Sequence, residues 1–113
     1  MFHLGAEHRY LLYRKHCDMR KSFDGLSGLV RNELNRDPMN GDVFIFLNKT
    51  ATHIKLLHWE EGGFVLYYKR LEKGTLTLPH IHDNGQILYR DLVLMIAGVV
   101  VLSSKQKNRY KNH

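Results

Sequence analysis

The fold turns on three runs, Asp42-Val-Phe-Ile-Phe-Leu47, His53-Ile-Lys-Leu-Leu-His-Trp-Glu60 and Phe64-Val-Leu-Tyr-Tyr-Lys-Arg-Leu71. They are separated only by the polar link Asn48 to Thr52 and by Glu61-Gly62-Gly63. β-Branched and aromatic residues dominate all three, as strands prefer. The first run is apolar on both faces, which suits a central strand. Short spacing and a Gly-Gly turn make the three an antiparallel meander.

Upstream, Asn40-Gly41 marks a turn and Asp37-Pro38 a helix end, because the residue before proline disfavours helical angles. Phe23, Leu26, Leu29, Val30 and Leu34 recur at helical spacing behind Ser22, a natural N-cap. Arg31 and Arg36 fall toward its wet side. Gly25 and Gly28 each lower its propensity by about 1 kcal/mol relative to alanine, and suggest a close neighbour. Arg9 to Lys15 reads as a first strand, joined to the helix by the polar His16 to Lys21. Downstream, Glu72-Lys73-Gly74 turns into a short strand, Thr75 to Leu78, ended by Pro79. Residues 80–85 read as a loop, and Gln86 to Tyr89 as strand or helix entry. Arg90 to Gly98 reads as a second helix, with Leu92, Met95, Ile96 and Val99 on one face. Val99 to Leu102 suits either state. The sequence thus predicts an α+β fold: an antiparallel sheet of four to five strands around the meander, with two helices. Residues 1–102 form a single α+β domain and 103–113 a basic C-terminal tail.

Composition bounds the function. The 113 residues are 43% hydrophobic and 25% charged, which is ordinary globular usage and argues against disorder in the main body. One cysteine, Cys17, excludes an internal disulfide and a Cys-rich zinc module. The longest apolar run, Leu92 to Leu102, falls short of the ~20 residues that span a bilayer. The first residues lack a signal-peptide pattern, so a cytoplasmic location is the default expectation, with no membrane partner. Seventeen Lys and Arg against eleven Asp and Glu give +6, which points to an anionic partner, nucleic acid first.

Few motifs carry chemistry. Lys105, Lys107, Arg109 and Lys111 lie in the tail without an acid, and Tyr110 adds a ring that can stack. Tyr67-Tyr68-Lys69-Arg70 interleaves aromatics and cations beside Lys55 and Trp59 of the neighbouring strand. Alternation puts Tyr67 and Lys69 on one face and Tyr68 and Arg70 on the other. Such interleaving serves a single-strand stacking surface, and equally serves rings that cap a core edge with their polar tips wet. The glycine-bracketed aromatic signature of the RNA-recognition fold is missing from this strand. His80-x-His82-Asp83 lacks the further ligand a metal site needs, so no metal and no cofactor is expected. His16-Cys17 are sequence neighbours, which does not make a catalytic pair. No phosphate-binding glycine loop and no carboxylate constellation appears.

Several segments, read in order, resemble one family. They are Asp18-Met-Arg-Lys-Ser-Phe-Asp-Gly-Leu26, Leu29-Val30, Asp37-Pro38, Gly41-Asp-Val-Phe-Ile-Phe-Leu-Asn48, Ile54-Lys-Leu-Leu57, Trp59, Gly63-Phe64, Tyr68-Lys-Arg-Leu-Glu-Lys-Gly74 and Pro79. Together they resemble the TnpB accessory proteins, the second reading frame of IS66-type bacterial insertion sequences. The likeness covers roughly Tyr10 to Pro79 and continues more loosely to Leu102. It implies a non-enzymatic accessory role in transposition, beside a separate transposase that cuts and joins DNA. It implies DNA and that transposase as partners, leaves self-association open, and carries over no catalytic residue. Asp18 and Arg20 match the family's Asp-Met-Arg, and Lys69 and Arg70 its Lys-Arg-Leu-Glu. Arg14, Lys15, Arg20, Lys69, Arg70 and the tail cations are the candidate phosphate contacts, and Trp59, Tyr67 and Tyr110 the candidate stacking residues. Relatives often carry several arginines in the turn between the first two meander strands, where this chain has only Lys49. Asp18 also suits a structural role, accepting N–H bonds ahead of a helix, with Arg20 pairing to it or to Glu33. The competing reading is a protein-interaction module that docks the transposase or a second copy through the sheet edge.

Overall fold

All five side chains from Val43 to Leu47 are buried, as a run apolar on both faces requires. In the computed structural model, which describes residues 4–98, this run is β2 of a five-stranded sheet. The elements in chain order are β1 (Tyr10–Leu12), α1 (Phe23–Asn32), β2 (Val43–Leu47), β3 (His53–Glu60), β4 (Gly63–Arg70), β5 (Gln86–Ile87) and α2 (Tyr89–Ile96). The sheet order is β4-β3-β2-β1-β5. The meander β2-β3-β4 is antiparallel and unbroken in register, from Val43 opposite His58 to His53 opposite Arg70. The Val99 to Leu102 segment, Val99 of the second-helix face, and the tail with Lys105, Lys107, Arg109, Tyr110 and Lys111 lie outside the described residues.

Each face of the sheet has its own core. On one, Leu26 and Val30 of α1 pack on Leu11, Phe44, Phe46 and Leu57, with Tyr13 and Cys17. On the other, Leu92 and Met95 of α2 pack on Tyr10, Leu12, Val43, Ile45, Leu56 and Ile87. Phe44 and Ile45 are neighbours in sequence and belong to opposite cores. Truncating either to alanine would remove packing worth about 2–5 kcal/mol. No helix among the described residues is long and apolar enough to cross a membrane.

The structure corrects the expected fold in three places. First, the sheet is mixed: β1 pairs with β2 in parallel, Tyr10 opposite Val43, and with β5 antiparallel. Helix α1 is the crossover that a parallel pair needs. Second, Thr75 to Leu78 is not a strand. Leu76 instead drops its side chain into the core and donates its N–H to the Ala51 carbonyl at 2.6 Å. The outer edge of β4 therefore gains no neighbour from it. Third, α1 stops at Asn32, before Asp37-Pro38. Asn35 turns left-handed at φ 54, and the Leu34 and Arg36 N–H groups reach back to the Leu29 and Val30 carbonyls. Asparagine tolerates that conformation better than most residues. Ser22 stands at the N-cap of α1 but its hydroxyl makes no capping bond. A Cβ on Gly28 would meet nothing within 4 Å, so no close neighbour requires that glycine.

Candidate nucleic-acid interface

Strand direction sorts the charges. The chain segments leaving β1, β2 and β4 emerge at one end of the sheet, because β1 and β2 are parallel and β4 is antiparallel to β3. That end carries Arg14, Lys15, Lys49, Arg70 and Lys73, with Glu33, Glu72 and Asp83 among them. The opposite end carries Glu7, Asp37, Asp42 and Glu61, with Arg9 tied to Asp42 by a fork at 2.8 and 3.3 Å.

The segment after β1 presents its cations by leaving the ladder. Tyr13 donates its N–H to the Ile45 carbonyl, and Cys17 donates to that of Leu47. Between these two bonds Arg14, Lys15 and His16 swing out and are exposed. Arg14 donates to the backbone carbonyls of His82 and Asp83, which orient the guanidinium without neutralising it. Lys15 donates to Glu33 at 3.1 Å, and Tyr13 OH donates to the same carboxylate. Lys15, then the tyrosine, holds the Glu33 carboxyl below the usual carboxylate range. Burial, then Glu33, pushes the Tyr13 phenol up to about 12.

The turn after β2 is fixed by one side chain. The Asn48 carboxamide accepts the N–H groups of Thr52 and His53 and donates toward Thr50 and Thr52. Ala51 sits left-handed at φ 55 within this network. The rigid turn places Lys49 in the cleft that Arg14, Lys15 and His16 also line, walled by Leu76 and Leu78. Lys49 makes no ion pair with any described residue. On its far side the turn leads to His53, which lies with Tyr68, Arg70 and Glu72 around a second shallow surface.

The link from Asp18 to Lys21 is a built loop. The Asp18 carboxylate accepts the Arg20 backbone N–H and the Nε and Nη2 groups of its guanidinium at 2.7–3.1 Å. Those side-chain bonds first, then the backbone N–H, hold the Asp18 carboxyl down at about 2. The Arg20 side chain is nonetheless 91% exposed, so the pair sets its direction while leaving it open. Beneath the loop, Lys55 is 4% exposed and donates to the Met19 and Lys21 carbonyls at 2.7 Å each. The Tyr68 ring lies 4.5 Å from the same ammonium.

The predicted site residues divide. Arg14, Lys15 and Arg70 share the cationic end, and Arg20 projects from the same β1–α1 connection. Lys69 faces the other side and donates to the Ile96 carbonyl at the end of α2, a favourable place for a cation. Tyr67 packs half-buried against the α2 core. Trp59 meets Phe64 edge-on at 5.0 Å, at the acidic end. The exposed ring of the Tyr-Tyr pair is Tyr68, at 51%. Sequence alternation separated Tyr67 from Tyr68, but only the helices decide which face is covered. Lys49 and His53 carried no local signal beyond their place in a tight turn. His80 and His82 touch edge-on at 4.7 Å, and among the described residues no third metal-binding side chain joins such a group. Burial raises the Cys17 thiol above its ordinary value, which opposes thiolate chemistry.

The fold defines a small α+β protein, a mixed five-stranded sheet with a helix on each face. The chain belongs to the IS66 Orf2-like protein family, whose model matches residues 8–106. It is therefore an accessory protein associated with the transposition of an insertion sequence. It is similar to uncharacterised protein y4jC of Sinorhizobium fredii, at 29% identity over 100 residues, covering 88% of this chain and 86% of that one. A second protein of that organism, y4hO, is 32% identical over 76 residues, covering 66% of this chain and 65% of its own. No solved structure matches the chain.

Proposed function

We propose that this protein binds the DNA of its element through the cationic end of the sheet and performs no bond-breaking itself. The observation that carries this reading is the convergence of Arg14, Lys15, Lys49 and Arg70 on one end of the sheet, where they stand beside the acids Glu33, Glu72 and Asp83. The ion pairs of Lys15 and Arg70 are solvent-exposed. Such pairs are worth at most about 1 kcal/mol, so phosphate competes with the carboxylates. Arg14 and Lys49 bring charge with no carboxylate partner among the described residues. Contacts of this kind grip the backbone and fix orientation without reading sequence. Tyr68 beside Arg70 offers a ring to an unpaired base.

The test is a titration of duplex DNA at rising salt. Affinity falls linearly on log axes, and each cation removed lowers the slope by about 1. Arg14→Ala with Lys49→Ala weakens binding to all sequences alike. Absence of affinity at low salt overturns the reading. Co-purification with the element's transposase that resists nuclease would then mark the transposase as the partner.

A further inference from the structure

We propose that β4 pairs antiparallel with β4 of a second copy of this chain, Tyr67 opposite its counterpart, fusing two five-stranded sheets into one. The proposal stands on the backbone and does not depend on the DNA reading. β4 is an edge of the sheet and eight residues long, whereas the other edge, β5, has two. The Leu71 N–H bonds the Thr52 carbonyl. Antiparallel alternation along the β3–β4 register then turns residues 63, 65, 67 and 69 inward and Phe64, Leu66, Tyr68 and Arg70 outward. The backbone groups of those four form no hydrogen bond with any described residue outside their own ladder.

Monomeric proteins blunt such an edge with proline, a bulge, a short strand or a central charge. β4 has none of these: its register is unbroken and its cations stand only at the last two positions. The edge is also complementary to itself. A two-fold axis perpendicular to the sheet keeps each face continuous, so Leu66 lies opposite Tyr68 and Phe64 opposite Arg70. The same axis brings Glu61, before β4, toward Lys73 of the second copy, after its β4, and does so twice. Moving the register toward the C-terminus would set Lys69 against Lys69 or Arg70 against Arg70, which is repulsive. An acidic start and a basic finish thus favour a second copy over an unrelated strand.

The experiment is sedimentation equilibrium of the full chain at micromolar concentrations, with circular dichroism as a check on folding. The wild type sediments at twice the chain mass. Tyr68→Pro removes one outward N–H, leaves the β3 ladder intact and sediments as a monomer, since proline is tolerated at edge positions. Tyr68→Ala keeps that N–H and remains a dimer. Glu61→Lys weakens association at least tenfold, and adding Lys73→Glu restores it. This pair decides the matter even if the proline variant misfolds. A monomeric wild type, or a dimer indifferent to Glu61→Lys in a chain that remains folded, overturns the proposal.

Discussion

Replacing Lys55 by methionine removes an ammonium that is almost wholly enclosed and ties two layers together. Lys55 rises from β3 and binds the Met19 and Lys21 carbonyls, at 2.7 Å each, in the loop that leads into α1. A hydrogen bond to a charged group contributes about 1.5–3 kcal/mol. The Tyr68 ring adds about 0.5–1 kcal/mol. Against these stands the cost of burying the charge, which methionine relieves. Methionine also retains the apolar stem but leaves both carbonyls without their donor. The expected balance is a loss of about 2–4 kcal/mol in unfolding free energy, or about 8–16 °C in Tm for a domain of this size. Urea unfolding followed by Trp59 fluorescence measures it. Amide exchange between Asp18 and Ser22 should quicken more than exchange in β2, because the loop loses its anchor first. A Lys55→Met protein within about 0.5 kcal/mol of wild type, with unchanged loop exchange, would refute the reasoning.

Three further outcomes follow from the same geometry. The Asp18 carboxyl, held down at about 2 by Arg20, titrates well below an ordinary aspartate. Its contribution is present above the unfolded value near 3.8 and fades as pH falls through about 2, a course that carbon-detected NMR follows and that Arg20→Ala abolishes. The Tyr10 and Tyr13 phenols, pushed up to about 12 chiefly by burial, stay protonated when ordinary tyrosines near 10 have ionised. The stability they hold is complete below 10 and declines as pH rises toward 12, visible in ultraviolet difference titration as two late-ionising rings. Gly28→Ala in α1, where the added methyl meets nothing within 4 Å, should raise stability by about 0.5–1 kcal/mol, while Gly85→Ala at φ +89 should lower it. Thermal unfolding of the two variants side by side checks both signs.

The meander was legible because its signals are local. Dense strand formers, a Gly-Gly turn and short links place β2, β3 and β4 close to their observed bounds. The amphipathic pattern likewise located α1 and α2. Asp18 and Arg20 were readable as a pair because only Met19 stands between them and their side chains are within reach of each other. The parallel β1–β2 pair was not readable. It joins segments about thirty residues apart, and nothing in Tyr10-Leu-Leu12 distinguishes a parallel from an antiparallel neighbour. Thr75 to Leu78 misled for a related reason: strand propensity needs an adjacent edge, and Leu76 is instead drawn into the core over Ala51. Lys55 resembled a surface cation between aromatics, and its enclosure arises only when the loop before α1 folds over it.

By itself the sequence determined the class of fold, the family likeness and the excess of positive charge, since periodicity, turn chemistry and composition are properties of the chain alone. Tertiary structure decided which cations meet. Lys15 and Lys49 are distant in sequence and line one cleft because a parallel strand pair sends both connections to the same end. It also decided that Tyr68 rather than Tyr67 stays open, and that Lys69 spends its ammonium on the end of α2. Side-chain alternation divides a strand into two faces, but only the packing of other elements determines which face meets water.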